Sequence, residues 1–427
     1  MKTLRSYQQQ AVDFALGANS AVILPYGTGK TLVGTHVLGA TKGPGLVIAP
    51  KRVKEQWVST LQEQFPEVRV HTDPSNVLSY AHNVLVTHYE QFVRDQWLQE
   101  FPWAAVVLDE AHRIKNPKAK RTVAIKKIKT GVKLALTATP LHKSVHDLWS
   151  ILNWLDAKSW RSRRRFFDRY VVVETNFMGW QTVTGSRNLK ELAELTKNNL
   201  FVRNIEQVAP ELPVVMEQVL EIPMTRAQAA VYKRIDDADD IVVDDMLIPN
   251  ALAKMTRLQQ ISSYPPLLGY DVDSGKLAWV KDFLEDQEEQ VILFTRFRGM
   301  AEAIRNLFPS KFGVVVGGAP PEGVEDFKRG AKQFLVGTIA SMSEGLDFPN
   351  ATTAVFVDTV HSQIQMAQAA HRHQRISNPV PKNVIYLLSS GVDQDVFSAF
   401  KTGRSEIDMV MKYLASKGVS HRVLSNS

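Results

Sequence analysis

The sequence contains no cysteine in its 427 residues. Disulfide bonds and thiolate metal sites are therefore excluded, and the composition fits a reducing compartment. No apolar run approaches the ~18 residues that a membrane-spanning helix needs. The first residues, Met1 to Gln10, turn polar at once and contain no signal-peptide core. These absences predict an intracellular protein that is neither secreted nor held in a membrane.

Acidic residues are missing from one long stretch, residues 111–146. Its basic residues are Arg113, Lys115, Lys118, Lys120, Arg121, Lys126, Lys127, Lys129, Lys133 and Lys143. A second cluster, Trp160–Phe167, interleaves arginines with aromatic side chains, and the whole chain has a formal net charge of +7. A solvated basic surface is the simplest interpretation. A phosphate-binding surface becomes preferable if other residues point to nucleic acid.

Short apolar runs recur between longer amphipathic stretches, in two sets. The first set is Ala21–Leu24, Leu46–Ala49, Val84–Thr87, Ala104–Leu108 and Val132–Leu136. The second set is Val291–Phe294, Gly313–Val316, Phe334–Gly337, Thr353–Val357 and Asn383–Leu388. Strands of a parallel sheet that is covered on both faces have this pattern. The sequence therefore predicts an α/β fold with two parallel sheets in two similar lobes.

Residues 141–289, between the two sets, follow a different pattern. Leucines at 148, 152 and 155 have helical spacing. Val171–Val173 and Trp180–Val183 predict a hairpin. Several prolines between 206 and 225 predict an extended linker between the lobes.

A glycine-containing loop, Gly27-Thr28-Gly29-Lys30-Thr31, follows the first predicted strand and precedes a helical pattern. In such a loop, backbone N–H groups surround phosphates and the helix N-terminus adds a positive dipole end. Lys30 would neutralise phosphate charge, and Thr31 would offer its hydroxyl to Mg²⁺. Because Leu24 occupies the position of the first glycine in the usual pattern, this loop predicts a nucleotide site only together with other parts.

Two adjacent carboxylates, Asp109 and Glu110, follow the apolar run that ends at Leu108. Ligands of open α/β sheets bind at the carboxyl ends of the strands. Asp109 would hold Mg²⁺, and Glu110 would orient the attacking water. An acidic pair in surface salt bridges is the alternative, which the buried strand before it disfavours.

Two arginines in the second lobe, Arg372 and Arg375, are spaced to share one face of a helix. An arginine that reaches a bound nucleotide stabilises the charge that spreads over the γ-phosphate. A salt-bridged helix surface is the alternative. With the loop and the carboxylates, the pair predicts a split ATPase whose lobes move as ATP is hydrolysed.

These three parts, in this order, resemble the motifs of superfamily 2 helicases and, among them, the Swi/Snf family of DNA translocases. The resemblance covers nearly the whole chain. The segments that carry it are Leu4–Gln8, Ala49–Lys51, Gln56–Trp57, Thr87–Glu90, Asp109–Asn116, Leu136–Leu141, Ser343–Asp347 and Gln368–Arg375. The segment Gly185–Leu189 is similar to the branch of annealing and fork-remodelling enzymes.

The resemblance implies two tandem RecA-like lobes with helical protrusions between them. We expect the first, ATP-binding lobe over residues 1–205 and the second over 206–427. Within them we expect a protrusion at about 141–200, a linker at about 206–225, a second protrusion at about 226–270 and a C-terminal helix at about 395–420.

The resemblance also implies roles for particular residues, with ATP and Mg²⁺ as cofactors. The expected catalytic residues are Lys30, Asp109, Glu110, Arg372 and Arg375. The expected nucleotide-binding residues are Arg5, Gln8, Gly27, Thr28, Gly29, Lys30, Thr31, Gly345 and Asp347, and the expected Mg²⁺ ligands are Thr31 and Asp109. The expected DNA contacts are Lys51, Thr87, His88, Lys115, Asn116, Arg296 and Ser341. Trp160–Phe167 would either stack on a strand at a junction or pack its aromatic rings inward.

The expected activity is DNA-dependent ATP hydrolysis by a translocase or helicase that remodels branched DNA such as forks and junctions. A duplex translocase without strand separation, an RNA helicase and a DNA-binding scaffold without ATP hydrolysis are the alternatives. Expected partners are branched or duplex DNA and proteins of replication or recombination. The sequence shows no flanking nucleosome-reading domain, so we expect a compact phage or bacterial enzyme in the cytoplasm.

Overall fold

The computed structural model describes residues 3–73, 83–138, 145–175, 181–209, 215–237, 247–342, 348, 350–370, 382–389 and 391–402. The chain divides into two compact units, Met1–Pro210 and Glu211–Ser427. None of the helices in these described ranges combines the length and the apolar character needed to cross a bilayer.

The first unit is built on a parallel sheet. The strands of the whole unit, in the described ranges, are β1 (Ser20–Ile23), β2 (Gly45–Ala49), β3 (Arg69–His71), β4 (Asn83–His88), β5 (Trp103–Leu108), β6 (Thr130–Thr137), β7 (Val171–Thr175), β8 (Gln181–Ser186) and β9 (Leu200–Val202). The sheet has the order β3-β4-β2-β5-β6-β1-β9, and every neighbouring pair is parallel. Strands β7 and β8 form a separate antiparallel pair, which confirms the predicted hairpin.

Helices cover both faces of this sheet's apolar strands. The described helices of the first unit are α1 (Ser6–Gly17), α2 (Lys30–Ala40), α3 (Lys54–Gln64), α4 (Tyr89–Arg94), α5 (Lys120–Lys126), α6 (Leu148–Leu155), α7 (Arg163–Tyr170), α8 (Leu189–Thr196) and α9 (Ile205–Val208). Every residue of β1 and β2 is buried. Burial of both faces is what selects continuous apolar runs over alternating ones.

The second unit repeats the plan with a second parallel sheet. Its described strands are β10 (Met216–Glu221), β11 (Val291–Thr295), β12 (Phe312–Val315), β13 (Phe334–Thr338), β14 (Thr353–Phe356) and β15 (Asn383–Leu388). They have the order β10-β15-β14-β11-β13-β12 and pair in parallel throughout. The described helices are α10 (Arg226–Asp236), α11 (Leu247–Ser263), α12 (Gly275–Glu285), α13 (Arg298–Leu307), α14 (Val324–Lys328), α15 (Ile339–Met342), α16 (Gln363–Ala370) and α17 (Gly391–Thr402).

Each predicted apolar run overlaps a strand, and the α/β prediction with two parallel sheets is confirmed. One segment differs from its prediction. Part of the expected linker at 206–225 forms β10, which pairs with β15 at the edge of the second sheet. Of the C-terminal helix expected at about 395–420, only the part within α17 lies inside the described residues.

Candidate nucleotide-binding site

The loop Gly27–Thr31 connects β1 to α2. Gly27 and Gly29 have positive φ angles of 74° and 80°. A residue with a Cβ is strained in this left-handed region, so the glycines permit the turn. Gly29 is the N-cap of α2, and the positive end of the helix dipole therefore lies at the loop. The loop has the local geometry of an anion-binding site.

Hydrogen bonds within the loop hold its shape. The Thr28 hydroxyl donates to the Pro25 carbonyl at 2.7 Å. Lys30 Nζ donates to the carbonyls of Leu24 at 3.1 Å and Pro25 at 3.0 Å. Leu24, which replaces the usual first glycine, takes part through its backbone carbonyl, and any residue supplies that group. The departure from the usual pattern therefore leaves these contacts of the loop intact.

The first turn of α1 packs against the same loop. Tyr7 Oη and Gln8 Nε2 both donate to the Thr28 carbonyl, at 2.7 and 2.9 Å. Gln8 Oε1 accepts the backbone N–H of Arg5 at 2.8 Å. A Cβ on Gly29 would lie 2.4 Å from Gln8 Nε2, so the close approach also requires glycine there. Arg5 and Gln8 thus lie beside the loop, and their contact with a base stays a prediction.

Asp109 and Glu110 lie at the same end of the sheet as the loop. Ile23, the last residue of β1, pairs with Thr137 of β6, and Leu108, the last residue of β5, pairs with Ala135 of the same strand. The chain therefore leaves β1 and β5 at the same edge. This is the edge at which ligands bind in open α/β sheets.

Asp109 is buried, with 7% of its surface exposed. Its Oδ1 accepts the backbone N–H of Glu110 at 2.9 Å, and its Oδ2 accepts the indole N–H of Trp57 at 2.8 Å. Tyr89 Oη donates to the Asp109 carbonyl at 2.6 Å. These donors fix both the side chain and the backbone of Asp109.

The charge of this carboxylate is only partly balanced by the protein. Burial, and after it the charge of Glu110, raises the pKa of Asp109 to about 6 against the opposing effects of Trp57 and Lys30. A divalent cation would supply the missing charge. Mg²⁺ takes oxygen ligands, commonly one or two protein groups together with substrate phosphates. The Asp109 carboxylate and the Thr31 hydroxyl are a donor set that fits this ion.

Glu110 follows with its backbone in the left-handed region, at φ 49°. Such conformations cost ~1–3 kcal/mol in a residue with a side chain and occur often at active sites. One carboxylate oxygen lies 3.3 Å from His112 Nδ1. A carboxylate that directly follows Asp109 at this sheet edge is suited to orient a water molecule.

Comparison with known families decides the identity of the fold and its motifs. Residues 5–267 match the family described as SNF2-related domain. The chain belongs to the SNF2-related family. Residues 275–377 match the helicase conserved C-terminal domain. The predicted resemblance to Swi/Snf-type superfamily 2 helicases is therefore confirmed.

Individual relatives of this SNF2-related chain are distant. YwqA of Bacillus subtilis (strain 168), whose name proposes an ATP-dependent helicase/translocase, is 26% identical over 92% of this chain. Protein CHROMATIN REMODELING 5 of Arabidopsis thaliana is 25% identical over 97% of it. These matches cover 47% and 27% of the two relatives, so the chain spans about half of their length or less. The helicase domain of Pyrococcus furiosus Hef, at 17% identity, is similar in fold, with a TM-score of 0.57 over 93% of this chain and 98% of that one.

The SNF2-type residues predicted to contact DNA differ in accessibility. Those of the first unit lie at or after the carboxyl ends of the neighbouring strands β4, β2 and β5. Exposed side chains are Lys51, Lys115 and Asn116, partly buried ones are His88 and Arg296, and buried ones are Thr87 and Ser341. Lys115 Nζ lies 3.6 Å from the Asp147 carboxylate, and Arg296 donates to the Gln259 side chain.

The aromatic residues of the Trp160–Phe167 cluster pack inward. Phe166 is 3% exposed and belongs to a core with Trp149 and Tyr170. The Trp160 ring stands edge-on to Phe166, with centroids 5.7 Å apart. Of the two interpretations, the structure supports inward packing. The exposed side chains of the cluster include Arg161, Arg163, Arg164 and Arg165.

Four predicted site residues lie outside the described residues: Gly345, Asp347, Arg372 and Arg375. Their roles therefore stay predictions. Two residues that touch Asp109, Trp57 and Tyr89, received no role from the sequence, although both lie in segments that resemble helicase motifs. Membership in those segments was their only sequence signal.

Proposed function

We propose that this chain is a DNA-dependent ATPase that acts as a DNA translocase or helicase. The observation that carries the proposal is that one sheet edge brings together the Gly27–Thr31 loop and the buried carboxylate of Asp109. Family membership supports the same activity, as does the helicase C-terminal domain match.

The arrangement supports a division of roles during hydrolysis. The loop would bind the β- and γ-phosphates through backbone N–H groups and Lys30. Asp109 and Thr31 would hold Mg²⁺, which neutralises charge on the phosphates. Glu110 would orient the water that attacks the γ-phosphate. Arg372 and Arg375 would stabilise charge on the γ-phosphate, an assignment that rests on the sequence.

The proposed track is the phosphate backbone of DNA. Exposed Lys51, Lys115 and Asn116 follow neighbouring strands, where they would bind phosphates without reading sequence. The exposed arginines at residues 161–165, just before and in the first turn of α7, would extend this basic surface. We propose branched DNA, such as forks and junctions, as the preferred substrate, because Gly185–Leu189 resembles fork-remodelling enzymes. Proteins of replication or recombination would be its partners.

A panel of ATPase assays tests this function. Turnover would be measured with single-stranded, duplex, forked and four-way DNA and with RNA, each over a range of salt. We expect DNA to stimulate turnover, forked and four-way DNA most strongly, and added salt to weaken the stimulation. Stimulation by RNA alone would contradict the proposal, and duplex stimulation without strand displacement would favour a pure translocase.

The site assignment has its own test. Lys30→Ala should lower DNA-stimulated turnover about a hundred-fold or more, because a preorganised charge on the phosphates is lost. Lys42→Ala, at an exposed lysine that follows α2, is the matched control and should leave turnover unchanged. Normal hydrolysis by the Lys30→Ala variant would refute the assignment of the loop.

A further inference from the structure

Trp57, on α3, connects two parts of the nucleotide site. The side chain is fully buried. Its indole Nε1 donates to Asp109 Oδ2 at 2.8 Å. The opposite edge of its ring lies against α2, where a Cβ on Gly34 would lie 2.5 Å from Trp57 Cη2. One side chain thus contacts both the helix that follows the phosphate loop and the buried carboxylate.

The two oxygens of Asp109 are held in different ways. Oδ1 accepts the N–H of the next residue, Glu110, which is a local contact. Oδ2 accepts from Trp57, 52 positions away in the chain. The local contact alone leaves the carboxylate plane free to turn, whereas two donors on two oxygens fix it. Because each carboxylate oxygen has two acceptor sites, a fixed plane still leaves lone pairs for a cation.

We propose that Trp57 is a positioning residue that orients the Asp109 carboxylate for Mg²⁺. The inference rests on the proposed function, in which Asp109 holds the Mg²⁺ that accompanies ATP. Hydrogen bonds from outside the ligand set orient metal ligands, and their loss commonly lowers metal affinity about 10–100-fold. The contact of the indole with α2 ties this orientation to the helix that begins at Lys30.

The deciding variant is Trp57→Phe, which keeps an aromatic ring near Gly34 and removes the N–H donor. The affinity for a fluorescent, non-hydrolysable ATP analogue would be measured in Mg²⁺ and in EDTA. We expect the affinity in EDTA to stay unchanged. The gain in affinity on adding Mg²⁺ should fall about ten-fold or more.

Trp103→Phe is the matched control. Trp103 is also buried, and its indole N–H donates to the Leu98 carbonyl at 2.8 Å. It lies at the start of β5, the opposite end of the strand from Asp109. Its replacement removes the same groups in the same unit and should leave both affinities unchanged.

A second pair of variants displaces the indole without removing its N–H. A Cβ on Gly34 meets Trp57, and a Cβ on Gly39, in the same helix, meets the Phe65 ring at the same 2.5 Å. Gly34→Ala should therefore reduce the Mg²⁺-dependent gain, and Gly39→Ala should not. This pair decides the question if Trp57→Phe does not fold.

The outcomes separate the inference from the function on which it rests. A Trp57→Phe variant that loses affinity equally in Mg²⁺ and EDTA would assign the residue to packing and overturn the inference. An unchanged Mg²⁺-dependent gain would overturn it as well. A wild-type protein that binds the analogue no better with Mg²⁺ would overturn the proposed function and the inference with it.

Discussion

The two units both bury carboxylates beside a parallel sheet, but they balance the charge differently. In the first unit, Asp109 is held by N–H donors, and its pKa is raised to about 6, chiefly by burial. In the second unit, Asp358 and Asp393 share the ammonium group of Lys276, which is fully buried. Lys276 Nζ lies 2.8 Å from Asp393 Oδ2 and 3.5 Å from Asp358 Oδ1.

Hydroxyl and backbone donors complete the second cluster. Asp358 Oδ2 accepts the Ser263 hydroxyl at 3.0 Å, and Asp393 Oδ2 accepts the Ser262 hydroxyl at 2.5 Å. Burial lowers the pKa of Lys276, but its two carboxylate partners outweigh that effect and the pKa is raised. The cluster thereby ties α11 to α12, to α17 and to the end of β14.

The difference separates two uses of a buried charge. A carboxylate that is paired with a buried cation gives no reason to expect a ligand, since its charge is already met. A buried carboxylate with too little positive charge nearby to balance it destabilises the unliganded fold, and such groups mark functional sites. By this criterion, Asp109 marks a ligand site in the first unit, whereas the Lys276 cluster stabilises the fold of the second unit.

Removing the cation of the Lys276 cluster should have the largest effect on stability. Lys276→Met leaves two buried carboxylates without their cation and should lower the free energy of unfolding by about 3–5 kcal/mol. Chemical denaturation of the full chain measures it. Lys281→Met is the control on the same helix, because Lys281 is exposed and its ion pair with Glu285 spans 3.8 Å. A loss no larger than the control's would contradict the comparison.

Neutralising Asp109 should have a smaller effect of opposite sign. Because its folded pKa lies above the ordinary value of 3.8, its contribution to stability is complete at low pH and is lost as pH rises through about 6. We therefore compare the free energy of unfolding of Asp109→Asn with that of the wild type, both without nucleotide. Between pH 4 and pH 7 the difference should shift in favour of the variant by about 2–3 kcal/mol. Denaturation across this pH range measures the difference, and a gap that does not widen with pH would contradict it.

The fold was largely predictable because its central strands are buried on both faces and read as apolar runs. Three of the described strands escaped prediction. Arg69–His71 and Leu200–Val202 have only three residues each and lie at the two edges of their sheet. Met216–Glu221 is mostly exposed and has no apolar run. Edge strands bury little surface, so their sequences carry little of the pattern.

The candidate site was predictable where its residues are adjacent in sequence. The loop at Gly27 and the pair at Asp109 have their spacing written in the chain. Spacing does not reveal Trp57 as a partner of Asp109, because Trp57 reaches it only through packing of α3 against the sheet. The same holds for Lys276, which lies 82 and 117 positions from Asp358 and Asp393 in the sequence. Such contacts depend on topology, and spacing alone does not reveal them.

Removing one hydrogen-bond donor from Asp358 and one from Asp109 compares the two buried carboxylates most directly. It should have the smallest effect on stability. Ser263→Ala takes one hydroxyl from Asp358, which still accepts from Thr295 and from the backbone N–H of Arg296. The free energy of unfolding should fall by about 1–2 kcal/mol, as for a hydrogen bond to a charged group. The Mg²⁺-dependent gain in nucleotide affinity should not change, in contrast to Trp57→Phe. If Ser263→Ala reduced that gain as much as Trp57→Phe, loss of a donor at Asp109 would not be specific to the ligand site, and the two clusters would not differ in use.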